Sequence, residues 1–183
     1  MKISLSNIPH VANKVAIDLN KSGFVTMTQG LEKVAAEAEK VLLEDVKKEE
    51  ALEARVDEIL DDNEAAIEDN LADERQLFFM IKKKLADDFD VILSYEDRFS
   101  NIAHKILDEL YEEDLIHFEV SENRIKNIIY ESMSSYIAQN SEIEQAVIDR
   151  IHSYKRKIIP GTDDYEIMFE KLYKEEPSKR GMA

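Results

Sequence analysis

Apolar residues recur at helical spacing along most of the chain. One run is Ile8, Val11, Ala12, Val15, Ala16 and Leu19; another is Phe99, Ile102, Ala103, Ile106, Leu107 and Leu110. Steps of three and four place each run on one face of a helix. The two runs lie 91 positions apart and read as one segment written twice. Ala12/Ala103, Lys14/Lys105 and Leu19/Leu110 are identical. Val11/Ile102, Val15/Ile106, Asp18/Glu109, Phe24/Leu115 and Val25/Ile116 keep their chemistry. Each run stops at polar residues, Lys21-Ser22-Gly23 or Glu112-Glu113-Asp114, and an apolar pair follows at once. Such a pair folds back onto the last helical turn and fixes the exit angle.

Further stripes predict further helices. Leu31, Val34, Ala35, Ala38, Val41 and Leu42 form the second; Leu52, Val56, Ile59 and Leu60 form the third. Neither Gly nor Pro lies between Leu31 and Leu71, which leaves one long bent helix or two with a tight joint. A fourth segment, from Ala72, carries Leu77, Phe78, Ile81 and Leu85, runs into Phe89 and Ile92, and links the two units as a helix. In the second half Ile125, Ile128, Ile129, Met133 and Tyr136 echo the second stripe, with Glu37 aligned to Glu131 across a longer loop after Ile116. Asn140-Ser141 predicts a helix break, with Glu144 completing a capping box. The third stripe then returns as Ala54/Ala146, Val56/Ile148, Asp57/Asp149 and Ile59/Ile151. Ser4 or Ser6, Thr28, Ser94 with Asp97, and Thr162 or Asp163 are the expected helix starts, with Pro9 inside the first turn. Ile167, Met168, Phe169, Leu172 and Tyr173 give a last helix its apolar face.

These patterns predict an all-α fold. Two homologous antiparallel helical units, residues 1–88 and 89–183, stand in tandem, joined by a helix and elongated. Helix should exceed about 65% of the chain, with essentially no strand. With four glycines and three prolines in 183 residues, a many-turned β fold is disfavoured. The absence of cysteine excludes disulfides, thiolate metal sites and cysteine nucleophiles. No apolar run approaches the roughly 18 residues of a membrane span, and the N-terminus lacks a signal-peptide core, so the expected location is cytoplasmic.

Charge changes the picture most. The formal net charge is −16, and residues 1–88 and 89–183 each hold 12 basic and 20 acidic residues. Nucleic-acid binding rests on basic patches that release counterions, so direct binding is not expected. The balance reads either as an aid to solubility or, more sharply, as an acidic face for a basic protein or ribonucleoprotein partner. Glu49, Glu50, Glu53 and Asp61 are the candidate contact residues; replacing all four with amides should weaken capture of such a partner without unfolding the chain. Lys155, Arg156 and Lys157 form a basic cluster that is the other candidate surface, while Lys82-Lys83-Lys84 reads as helix-end charge complementing the dipole.

Catalytic chemistry is not indicated. No glycine loop cradles a phosphate, and the serines fall at caps. Asp149 and His152 have the i, i+3 spacing of carboxylate–histidine metal sites in helical bundles, but the matching place in the first half is Leu60. His10, His104 and His117 suggest no ligand set, and neither metal nor cofactor is expected. Tyr165, Phe169 and Tyr173 read as core.

The segment from Ser153 to Glu176, with Lys155-Arg156, Pro160-Gly161-Thr162 and the aromatic helix after it, resembles the C-terminal signature of the bacterial DUF507 family. The openings Ile3-Ser4…Ile8 and Leu93-Ser94…Phe99 are similar to that family's N-terminal motif, as are Ala54-x-Val56-Asp57 and Ala146-x-Ile148-Asp149. The resemblance spans nearly the whole chain as two family units, the second the closer match. The first lacks the Lys-Arg and Pro-Gly elements and carries Asn70-Leu71-Ala72-Asp73 where the turn should be. The resemblance implies an all-helical fold, no assigned activity and no catalytic residues. The expectation is a non-enzymatic interaction or scaffold protein, with imitation of nucleic acid as a variant. The competing expectation is a carboxylate-based metal-dependent enzyme.

Overall fold

A computed structural model describes residues 3–64, 73–154 and 159–179. The chain is 79% helical. After a 3-10 turn at Leu5–Asn7 come α1 (Ile8–Lys21), β1 (Val25–Met27), α2 (Leu31–Asp62) and α3 (Glu74–Leu85). A second 3-10 turn at Asp87–Phe89 leads to α4 (Tyr95–Glu112), β2 (Ile116–Phe118), α5 (Glu122–His152) and α6 (Asp163–Lys179). The chain packs as two compact units, one up to Ser134 and one from Ser135 on.

In the first unit α1 packs along α2, and α2 also carries α3 and α4. All six expected stripe residues of α1 and all six of α4 are buried. At α4 the exit works as the apolar pair predicted. Asp114 turns left-handed at φ 53, the Leu115 N–H reaches the Leu110 carbonyl at 2.9 Å, and both leucines are buried. At α1 the left-handed residue is Gly23, φ 71. A cluster of Leu52, Val56, Leu60, Ala86 and Val91 seats α3 through Leu77, Phe78, Ile81 and Leu85. In the second unit Ile143, Val147, Ile151 and Leu172 pack with Met168, Tyr165, Phe169 and Tyr173, whose rings stack at 6.2 and 5.9 Å. The aromatic series is half-buried and packs against this core, the role its spacing predicted.

The sequence pattern misses one element. Val25, Thr26 and Met27 pair antiparallel with Phe118, His117 and Ile116. Three-residue strands are too short to show the two-residue alternation that marks a strand. The central pair, Thr26 and His117, are residues 91 apart. That spacing then continues. Both long helices start 91 positions apart, at Leu31 and Leu31's counterpart Glu122. Buried Val34, Ala38, Leu42, Val46, Leu52, Val56 and Leu60 fall opposite buried Ile125, Ile129, Met133, Ile137, Ile143, Val147 and Ile151. The alignment of Glu37 with Glu131 across a longer loop, and the pairing of Val56 with Ile148 and Ile59 with Ile151, are therefore replaced by a constant step; the loops from strand to helix are equally long.

The structure resolves one open helix boundary and moves two others. The second and third stripes share the single helix α2, which settles the open choice. Asn140 does not break α5. Its carbonyl oxygen accepts from the Tyr173 hydroxyl and its amide donates to Glu144 at 2.9 Å, so a buried polar residue is satisfied inside the helix. Asn costs a helix interior only about 0.7 kcal/mol relative to Ala, less than those bonds return. The linking helix ends at Leu85, before Phe89 and Ile92. Asp90 is left-handed at φ 53 and the Val91 N–H closes on the Ala86 carbonyl at 2.9 Å, a helix-terminating arrangement that an aspartate tolerates.

Caps follow the same mixture. Ser94 accepts from the Asp97 N–H at 3.5 Å and Thr162 from the Tyr165 N–H at 3.4 Å, as expected. Asn7, not Ser4 or Ser6, precedes α1, with Pro9 in its first turn. Thr28 does not cap α2, which begins after Gly30 at φ 88; its hydroxyl donates to the Asp114 carbonyl instead.

Candidate interaction surface

Residues along α2 advance by about 100° each, so neighbours in sequence point different ways. Leu42, Val46, Glu49, Leu52 and Val56 follow one buried stripe. Glu49 is thus a carboxylate in an apolar seam, only 7% exposed. It is held from both sides. Lys82 of α3 donates to one oxygen at 2.8 Å and Arg98 of α4 to the other at 2.7 Å. Lys82 also reaches Glu53 at 2.7 Å, and the Arg98 Nε reaches Asp45 at 2.7 Å. Burial alone would raise the Glu49 pKa, but the bonds and charges of Lys82 and Arg98 outweigh it and hold the carboxyl below its ordinary range. Burial likewise opposes the charge on Lys82, and its two glutamates more than restore it. The five groups staple three helices together.

The four carboxylates singled out in the sequence therefore separate. Glu49 is withdrawn from the surface and Glu53 shares Lys82 with it. Glu50 and Asp61 are exposed. Asp57 is exposed with them, and the steps of seven and four from Glu50 to Asp57 to Asp61 put all three on one face. The fourfold amide replacement would strip Lys82 of both its glutamates and leave Arg98 with Asp45 alone, so a loss of stability is expected from it.

Of the basic clusters, Lys155, Arg156 and Lys157 lie outside the described residues. Lys82, Lys83 and Lys84 occupy the last turn of α3, where they complement its dipole; Lys82 faces inward and the other two are exposed. His104 and His117 are exposed beside Asp108 and Asp114, at 3.7 and 3.3 Å. Asp149 accepts from Gln145 at 2.9 Å and His152 is exposed. Among the described residues no three His, Asp or Glu side chains are grouped to hold a metal ion, and no helix is long and apolar enough to cross a membrane.

Sequence reasoning missed Lys82 and Arg98 as partners of Glu49. The available signal was Glu49 itself, since a charge on a buried stripe must be paired. A second buried polar residue on a long helix, Asn140, is likewise paired. Asn140 stands 91 residues after Glu49, and Tyr173 stands 91 after Lys82. Glu49 with Lys82 is an ion pair, and Asn140 with Tyr173 a neutral hydrogen bond at the same spacing in sequence.

Among curated proteins none matches this chain. A family model does, described as a protein of unknown function, and it covers residues 1–182 in one span. The chain belongs to the DUF507 family.

Proposed function

We propose that this protein is a non-enzymatic interaction protein, built of two copies of one 91-residue helical unit, that presents carboxylates to a basic protein partner. The constant step of buried positions supports the two-copy reading. One observation carries the functional one: Glu50, Asp57 and Asp61 line an exposed face of α2, while Lys82 and Arg98 nearby are committed inward. The surface charge on this face is left to solvent and to whatever binds.

Magnitude favours a basic protein over imitation of nucleic acid. At 1.5 Å per residue the three carboxylates span about 16 Å of helix. A duplex carries one charge per about 1.7 Å, several times the density. The test is to pass ribosomes and total soluble protein over the immobilised full chain at low and high salt. Partners retained at low salt and released at high salt are expected, since screening shortens from about 10 Å at 0.1 M to about 3 Å at 1 M. Nothing above background, or partners indifferent to salt, would leave the charge as an aid to solubility.

A further inference from the structure

An open groove of about 420 Å³ lies where the end of α2 faces the start of α3. Leu60, Phe78 and Phe79 supply its apolar part; Asp57, Asp73 and Glu74 rim it, against one cation, Arg75. The two phenylalanines are not equivalent. Phe78 packs on the Leu52 cluster, whereas Phe79 meets it edge-on at 5.7 Å and is 58% exposed. Met80 beside it is 51% exposed. The helix does not require apolar residues at these places. The counterparts 91 positions on, Glu170 and Lys171 of α6, are both exposed charges. Phe79 and Met80 thus leave apolar surface uncovered beside the groove, where the matching helix carries charges.

We propose that this groove docks a basic amphipathic segment of a partner protein, with a bulky apolar side chain seated on Phe79 and lysine or arginine groups on the carboxylate rim. The proposal rests on the reading above that the partner is basic, and adds where it binds and that it carries an apolar anchor. Charge complementarity selects the occupant: three carboxylates surround the apolar floor, in a chain of net charge −16. Binding energy concentrates where an apolar anchor is desolvated, while rim charges set the approach rate and the salt dependence.

The test uses the full chain and two labelled synthetic peptides of equal length and charge. One is an amphipathic lysine–leucine helix; the other replaces its leucines with serine. Fluorescence anisotropy at about 0.1 M salt should show the leucine peptide binding at least about tenfold tighter. Phe79→Glu should abolish that preference while lowering the melting temperature by no more than about 2–4 °C, the loss of one edge-on ring contact. Asp57→Asn with Glu74→Gln should weaken both peptides and flatten the salt dependence but keep the preference. Equal binding of the two peptides, or a preference that survives Phe79→Glu, would overturn the groove while leaving the acidic-surface reading in place. Failure of both peptides to bind in a salt-sensitive way would remove that reading and the groove with it.

Discussion

Replacing Glu49 with glutamine removes one charge from the staple between α2, α3 and α4 while keeping shape and an acceptor oxygen. Breaking a buried ion pair by deleting one partner typically costs about 3–5 kcal/mol. Here the loss is smaller, because Lys82 keeps Glu53 and Arg98 keeps Asp45, each at 2.7 Å. About 2 kcal/mol is expected at neutral pH. For a chain of this size that lowers the melting temperature by about 4–8 °C, measurable by calorimetry. The pH dependence carries the sharper signature. The folded-state pKa of Glu49 lies below the ordinary value of 4.5. Its contribution is therefore fully present above that value and is lost as pH falls through the folded pKa. The gap between wild type and Glu49→Gln should be constant at neutral pH and close on acidification. A variant that melts within about 1 °C of wild type at pH 7 would refute the buried network, since an exposed pair is worth about 0–1 kcal/mol. A gap that widens in acid would refute the sign.

Three other outcomes follow from the same packing. Ile106→Asp, and Val15→Asp at its counterpart, should each destabilise by several kcal/mol, because both sites are fully buried and a carboxylate there finds no partner; melting within about two degrees of wild type would contradict the assigned helix faces. Tyr173→Phe should cost about 1 kcal/mol by removing the donor to the Asn140 carbonyl, read by urea denaturation, with no cost if Asn140 is solvated instead. Elemental analysis of the purified chain should find no stoichiometric iron, manganese or zinc; one equivalent of any of them would favour the carboxylate-based metal enzyme.

Much of the fold is legible because a buried stripe leaves a periodic trace. Val11 to Leu19 and Ile102 to Leu110 declare their helices without ambiguity. The trace weakens where polarity enters the seam. Asn140 looks like a helix stop, and nothing local reveals that Tyr173, 33 residues later, satisfies it. Glu49 counts as surface charge for the same reason: its partners Lys82 and Arg98 are 33 and 49 residues away. Short strands at Val25 and Ile116 leave no trace of their pairing, because their partners come from opposite halves of the chain. The open groove was also illegible, since Phe79 continues the apolar run of Leu77 and Phe78 and differs from them only in how far it is covered.

The account stands on the exposed carboxylate face. Its most direct test is the salt dependence of affinity for a partner recovered on the immobilised chain, compared between wild type and a variant carrying Glu50→Gln, Asp57→Asn and Asp61→Asn. These three side chains are exposed, so the variant should keep its melting temperature, each change costing no more than about 0.5 kcal/mol. Affinity of the wild type should fall steeply between 0.05 and 0.2 M salt (about the range over which screening closes in), and the variant should bind more weakly with a shallower slope. Equal affinity and equal slope for the two proteins would contradict it.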